Sequence, residues 1–171
     1  MADLSTMYRI MILFMLNKVE YPLTNTQITN LILEKGYTDY FSVQQTLSDL
    51  LSSELITAES THNNTRYRIT DEGQQTLNFF ENKISDEIKK DIMTYFKEHH
   101  YDLKQETSVY ADYYKASGKG FAARCQIRDN KTSLVDLTLT VNTKEQAEAI
   151  CRNWAKQNEE VYALLMDLLI K

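Results

Sequence analysis

The sequence predicts an α+β fold in two parts: three short helices closed by a β-hairpin, then helices, a three-stranded antiparallel meander and a long C-terminal helix. Three observations predict it. Helical apolar stripes with capping signals occupy residues 5–52, and two alternating segments flank an Asn-rich tip at 60–64. Between 108 and 141 the period drops to two, then returns to 3.6 for a final run of roughly 27 residues.

Residues 5–17 are almost wholly apolar and predict a helix buried on most sides, capped by Ser5 or Thr6. After Pro22, Thr24-Asn25-Thr26-Gln27 fits a capping box, in which Thr24 and Gln27 satisfy each other's free amides. Leu23 and Ile28 flank it at hydrophobic-staple positions, Leu31 and Ile32 continue the inner face, and Gly36 supplies the left-handed residue that stops the helix. A third helix is predicted from Ser42 (42–53). It buries Val43, Leu47, Leu50 and Leu51 and turns Gln44, Gln45, Ser48 and Ser52 outward. Residues 55–59 and 65–69 alternate about Ser60-Thr61-His62-Asn63-Asn64, which predicts a hairpin over 56–69. Three helices and then a hairpin is the order of a winged helix-turn-helix, with the third helix as the groove-entering element and the hairpin as the wing.

A fourth helix starts at Thr70-Asp71-Glu72-Gly73, with acids at its positive end and Leu77, Phe79 and Phe80 on its apolar side. Ser85 opens a fifth, with the stripe Ile88, Ile92, Tyr95 and Phe96. Strands follow around 109–114, 121–128 and 135–141, turned at Ser117–Gly120 and Asp129–Lys131. Thr143-Lys144-Glu145-Gln146, another capping box, opens the last helix. The pattern change near residue 84 divides the chain into an N-terminal winged-helix domain, 1–84, and an α+β tail, 85–171, expected to carry dimerisation and an effector site.

Composition narrows the function classes. Hydrophobic residues make up 43 % and charged residues 25 %, as in an ordinary globular protein. With no visible leader at Met1-Ala2 and no apolar run approaching ~20 residues, the expectation is a cytoplasmic chain without a membrane partner. Cys125 and Cys151 have no CxxC spacing, and with His62, His99 and His100 they do not make a zinc set, so buried reduced thiols and no metal are expected. Gly118-x-Gly120 is a hairpin turn with no helix after it, so it is not a phosphate loop. No nucleophile–base set can be assembled, and neither enzymatic activity nor a cofactor is expected.

The stretch Leu23–Gly73 resembles winged-helix transcriptional regulators of the PadR and MarR type. The resemblance is carried by Thr26-Gln27-Ile28, by Ser42-Val43-Gln44-Gln45-Thr46-Leu47 running into Leu50-Leu51 and Leu55-Ile56, and by Tyr67-Arg68-Ile69-Thr70-Asp71-Glu72-Gly73. Over its whole length the chain is more similar to a bacterial domain-of-unknown-function family with an N-terminal winged helix and an α+β tail. Thr24–Ile28 and Tyr37–Phe41, continuing into Gln44-Gln45, carry that likeness. It implies a dimeric transcriptional regulator whose partners are double-stranded DNA and a second copy of itself.

On this reading Gln44, Gln45 and Ser48 meet base edges, since Gln can bond adenine twice in the major groove. Arg66 and Arg68, two apart on one strand face, and His62 and Asn63 at the tip grip phosphate or minor groove. The charge count opposes it: residues 1–84 hold six Lys and Arg against ten Asp and Glu. A winged helix used for protein contact is therefore the alternative, for which acidity is no handicap. Among the eleven tyrosines, Tyr110 and Tyr114, with Arg124 and Arg128, are the candidate lining of an effector pocket; a packed sheet with a polar outer face is the plainer reading of the same residues.

Overall fold

The computed structural model describes residues 3–130 and 132–170. The expected start at Met1-Ala2 and Lys131 of the expected turn lie outside the described residues. The rest form a mixed α+β structure of six α-helices and two three-stranded antiparallel sheets. The residues group into two compact units: the first runs through Ser60 and resumes at Asn64–Thr107, and the second comprises Thr61–Asn63 with the residues from Ser108 on. The grouping thus assigns nearly all of the fifth helix to the first unit, where the sequence suggested a division at 84/85.

Within the first unit, helix α1 (Leu4–Asn17) is the core. Seven consecutive residues, Ile10 to Leu16, are buried, as a helix apolar on every side must be. Each such aliphatic side chain contributes about 1.5–3 kcal/mol on burial. Its N-cap is Asp3, whose carboxylate accepts from the Ser5 amide, and not Ser5 or Thr6. A carboxylate gains from the positive helix end as well as from the bond, and that favours the earlier start.

Strand β1 (Leu23–Thr24) pairs with β3 (Thr65–Ile69), which pairs with β2 (Ile56–Ser60), in the order β1-β3-β2. Two residues have no period, so β1 left no trace in the sequence. Thr24 then caps α2 (Asn25–Glu34) through the expected capping box, and Leu23 and Ile28 are buried. Gly36, at φ 71°, ends α2 with Tyr37 donating back to the Ile32 carbonyl (3.1 Å).

Helix α3 (Tyr40–Ser52) begins earlier than expected because Asp39, not Ser42, is the N-cap, accepting from the Ser42 amide at 2.8 Å. That donated hydrogen bond holds the Asp39 carboxyl below its ordinary value. Helix α4 (Asp71–Phe80) is capped by Thr70, buries Leu77, and leaves Phe79 exposed against expectation. Helix α5 (Asp86–Ser108) continues well past the predicted stripe. In its last turns the Gln27 amide donates to the Leu103 carbonyl (3.1 Å) and the Glu106 carboxylate (2.9 Å).

The second unit is the meander β4 (Val109–Lys115), β5 (Phe121–Asp129) and β6 (Thr132–Val141), covered on one face by α6 (Lys144–Ile170). Thr143 and Gln146 cap α6 reciprocally, as the sequence indicated. Ala147, Cys151, Trp154 and Asn158 are its buried positions, and the Trp154 indole donates to the Gln126 carbonyl at 3.2 Å.

Cys125 and Cys151 are buried free thiols on facing elements. Burial, and then the neighbouring Cys151, push the Cys125 thiol up to about 11; burial and the Asp112 and Glu148 carboxylates push Cys151 upward as well. Little thiolate exists at neutral pH in either case. Native protein mixed with a bulky maleimide is expected to label at a rate limited by unfolding and to react fully only in denaturant; labelling of either thiol within seconds would contradict this.

Candidate nucleic-acid interface

The outward face of α3 is set by what its inward face buries. Val43, Thr46, Leu47 and Leu50 are buried, which leaves Phe41, Gln45, Ser48 and Ser52 exposed in one row with helical spacing. Gln45 donates to Asp49 (3.0 Å), the carboxylate that also binds Arg9 of α1 at 3.2 Å. Gln44 is not in this row. It is half-buried, and its amide exchanges hydrogen bonds with the Asn25 amide (2.8 and 2.9 Å) and donates to Thr29 (3.1 Å). Gln44 therefore ties α3 to α2, and its polar groups are already used inside the unit.

Phe41 was not among the candidate readers, yet it is 81 % exposed at the start of α3, edge-on to Tyr40. Its sequence signal was the uncommon pair of aromatics placed just ahead of the predicted helix. An exposed phenyl ring beside an amide and a hydroxyl makes a surface that can meet both a methyl group and hydrogen-bonding edges.

On the hairpin the two arginines separate. Arg68 is exposed. Arg66 is 3 % exposed, and its Nε donates to the Thr107 carbonyl at 3.1 Å. Their shared strand face is real, but α5 covers it at Arg66, so Arg66 sits in the interior and not on a phosphate-facing surface. Sequence alternation reports the face, and the helix that covers it is distant in sequence. Cross-strand register places Glu59 opposite Arg66 and Thr57 opposite Arg68.

The tip residues 61–63 belong with the second unit. The His62 backbone amide donates to Asp112 (3.1 Å), its Nδ1 meets the same carboxylate, and its ring stacks on Tyr113 with centroids 3.8 Å apart. Asn63 is exposed.

The structure distributes the four suggested effector residues unevenly. Tyr110 is buried, with the Arg128 guanidinium 3.8 Å above its ring, and Arg128 also donates to Gln126 (2.9 Å). Arg124 binds Asp136 through two hydrogen bonds, 2.9 and 2.7 Å, which hold the Asp136 carboxyl below its ordinary value. Tyr114 is half exposed. Tyr110 and Arg128 thus form one packed pair, and Arg124 is part of a separate ion pair.

Among the described residues no cluster of three or more His, Cys, Asp or Glu could hold a metal ion, and no helix is long and apolar enough to cross a membrane. The family model described as Domain of unknown function (DUF4364) matches residues 8–169. No curated protein and no solved structure matches the chain.

Proposed function

Because the chain belongs to the DUF4364 family, matched over residues 8–169, we propose for it a function carried by its first unit: a winged helix that binds double-stranded DNA and regulates transcription as a dimer. The observation that carries this reading is the exposed row Phe41, Gln45, Ser48 on α3. This helix packs behind α2 and is followed by a hairpin whose sheet runs β1-β3-β2. A helix that buries one face and leaves the other free beside a hairpin is the arrangement that enters a major groove. Gln45 and Ser48 then offer hydrogen bonds to base edges, Phe41 meets a thymine methyl, and Arg68 of the hairpin meets the backbone.

A second reading rests on charge. The first unit contains ten Lys and Arg against sixteen Asp and Glu, and Arg66, one of its few hairpin cations, is interior. Affinity for DNA comes largely from neutralised phosphates, so an acidic unit with an exposed aromatic at α3 also fits a protein partner.

Fluorescence anisotropy with random-sequence duplex, titrated with salt, separates the two. A regulator binds at low salt with a negative log–log slope, and Arg68→Ala makes that slope shallower by about 0.9. On a duplex enriched from a random library, Gln45→Ala costs on the order of 1–3 kcal/mol, whereas on random duplex it costs almost nothing. Wild-type protein that binds no duplex at low salt leaves the protein-contact reading in place and removes the DNA one.

A further inference from the structure

Two apolar surfaces of the second unit are left incomplete. The first is a strip of sheet. Register pairs Phe121 with Val141, Ala123 with Leu139, Cys125 with Leu137 and Ile127 with Val135, so these β6 residues share the face on which Cys125 meets α6. Ala123 and Cys125 are buried there, but no residue of β6 is; Leu139 is 48 % exposed, and Val135, Leu137 and Val141 are half-buried. Helix α6 lies over β4 and β5 and leaves β6 largely uncovered.

The second is a stretch of helix. The last buried position of α6 is Asn158, yet the helix continues to Ile170. Those twelve residues extend about 18 Å at 1.5 Å each. Val161, Leu164, Leu165 and Leu168 form one stripe along it, with Leu164 at 56 % and Leu168 at 60 % exposure, and Leu169 and Ile170 are more exposed still. Past Asn158 no described position of the overhang is fully buried, and no described residue of β6 is fully buried either. Val161 and Leu165 on this stripe are half-buried, and its exposed share grows toward Leu168, Leu169 and Ile170.

We propose that the two surfaces complete each other across a two-fold axis, with the overhang of α6 from each copy laid over the β6 strip of its partner. The inference rests on the dimeric reading above and specifies its surface. A two-fold contact makes the exchange reciprocal, so both unfinished surfaces of both copies are covered at once. Ten residues of β6 span roughly 33 Å, long enough to receive the overhang. A stable interface of this kind removes on the order of 1,500 Å² in total from water. β6 is also an outer strand with no Lys or Pro to blunt it, and a partner's helix laid over it would shield it from further pairing.

Sedimentation of the full chain at tens of micromolar tests this. Wild type is expected at about twice the 20.0 kDa chain mass. Leu139→Glu and Leu168→Lys, both at exposed positions, are each expected to sediment as monomers with unchanged far-UV circular dichroism. An equimolar mixture of the two is expected to recover a dimer, because one contact is then wild type and the other pairs Glu with Lys. If Leu168→Lys dissociates while Leu139→Glu stays dimeric, the overhangs pair with each other; the strip is then not the seat, although the dimer stands. Two dimeric variants, or two monomeric ones that the mixture does not rescue, also overturn the exchange. A monomeric wild type overturns both this proposal and the dimeric reading.

Discussion

Replacing Gly73 with alanine is expected to lower stability by about 3 kcal/mol or more, the largest effect of any single methyl group added at a glycine of the first unit. A Cβ there would lie 2.2 Å from the Leu55 carbonyl oxygen and 2.7 Å from Ile69 Cγ1. The first of these is backbone, and it is fixed by accepting from the Thr70 amide at 3.1 Å, so it cannot swing aside. The start of α4 would have to move away from Leu55, the residue before β2, and with it Leu77, which is fully buried. Gly118→Ala is the matching control: no atom lies within 4 Å of its Cβ position and its φ is not left-handed, so it should be neutral or slightly stabilising. Thermal melts of the two variants, compared with wild type, check this; a drop of roughly 10 °C is expected for Gly73→Ala. Equal melting of the two would show that the approach of α4 to Leu55 is looser than the geometry requires.

Arg66→Ala is expected to destabilise the first unit by about 2–3 kcal/mol, while Arg68→Ala changes stability by no more than about 0.5 kcal/mol. Arg66 is interior and donates to the Thr107 carbonyl, and its truncation removes that bond together with the packing of its aliphatic stem. Arg68 on the next outward position is exposed. Urea denaturation of both variants makes the comparison. If they unfold at the same midpoint, Arg66 does not anchor α5 to the hairpin and returns as a candidate phosphate contact. The contrast also governs how any DNA measurement is read: loss of binding in Arg66→Ala reports folding, whereas loss in Arg68→Ala reports the interface.

The features legible in the sequence are those set by neighbours within a few residues. The capping boxes at Thr24 and Thr143, the left-handed stop at Gly36, the hairpin about 60–64, the meander and the length of α6 all depend on local hydrogen bonds and on side-chain period. Where two local signals competed, the sequence was ambiguous by a turn. Asp39 and Ser42 both suit a helix start, and the charged group at the earlier position prevailed.

The candidate site was legible only in part, since a face and its exposure are different properties. Periodicity placed Gln45 and Ser48 outward correctly and placed Arg66 and Arg68 on one face. It held no information about α5, whose Thr107 lies 41 residues beyond Arg66 and covers it. The same holds for Gln44, whose partner Asn25 is 19 residues away on another helix, and for β1, a two-residue strand that exists only because β3 lies beside it. The sequence by itself determined which segments fold into helices and strands and which side of each is apolar, because those follow from backbone propensity and period. Only the tertiary structure decided which polar side chains are consumed as internal fastenings and which stay free to meet a partner, because that depends on contacts between segments far apart in the chain, which no local pattern encodes.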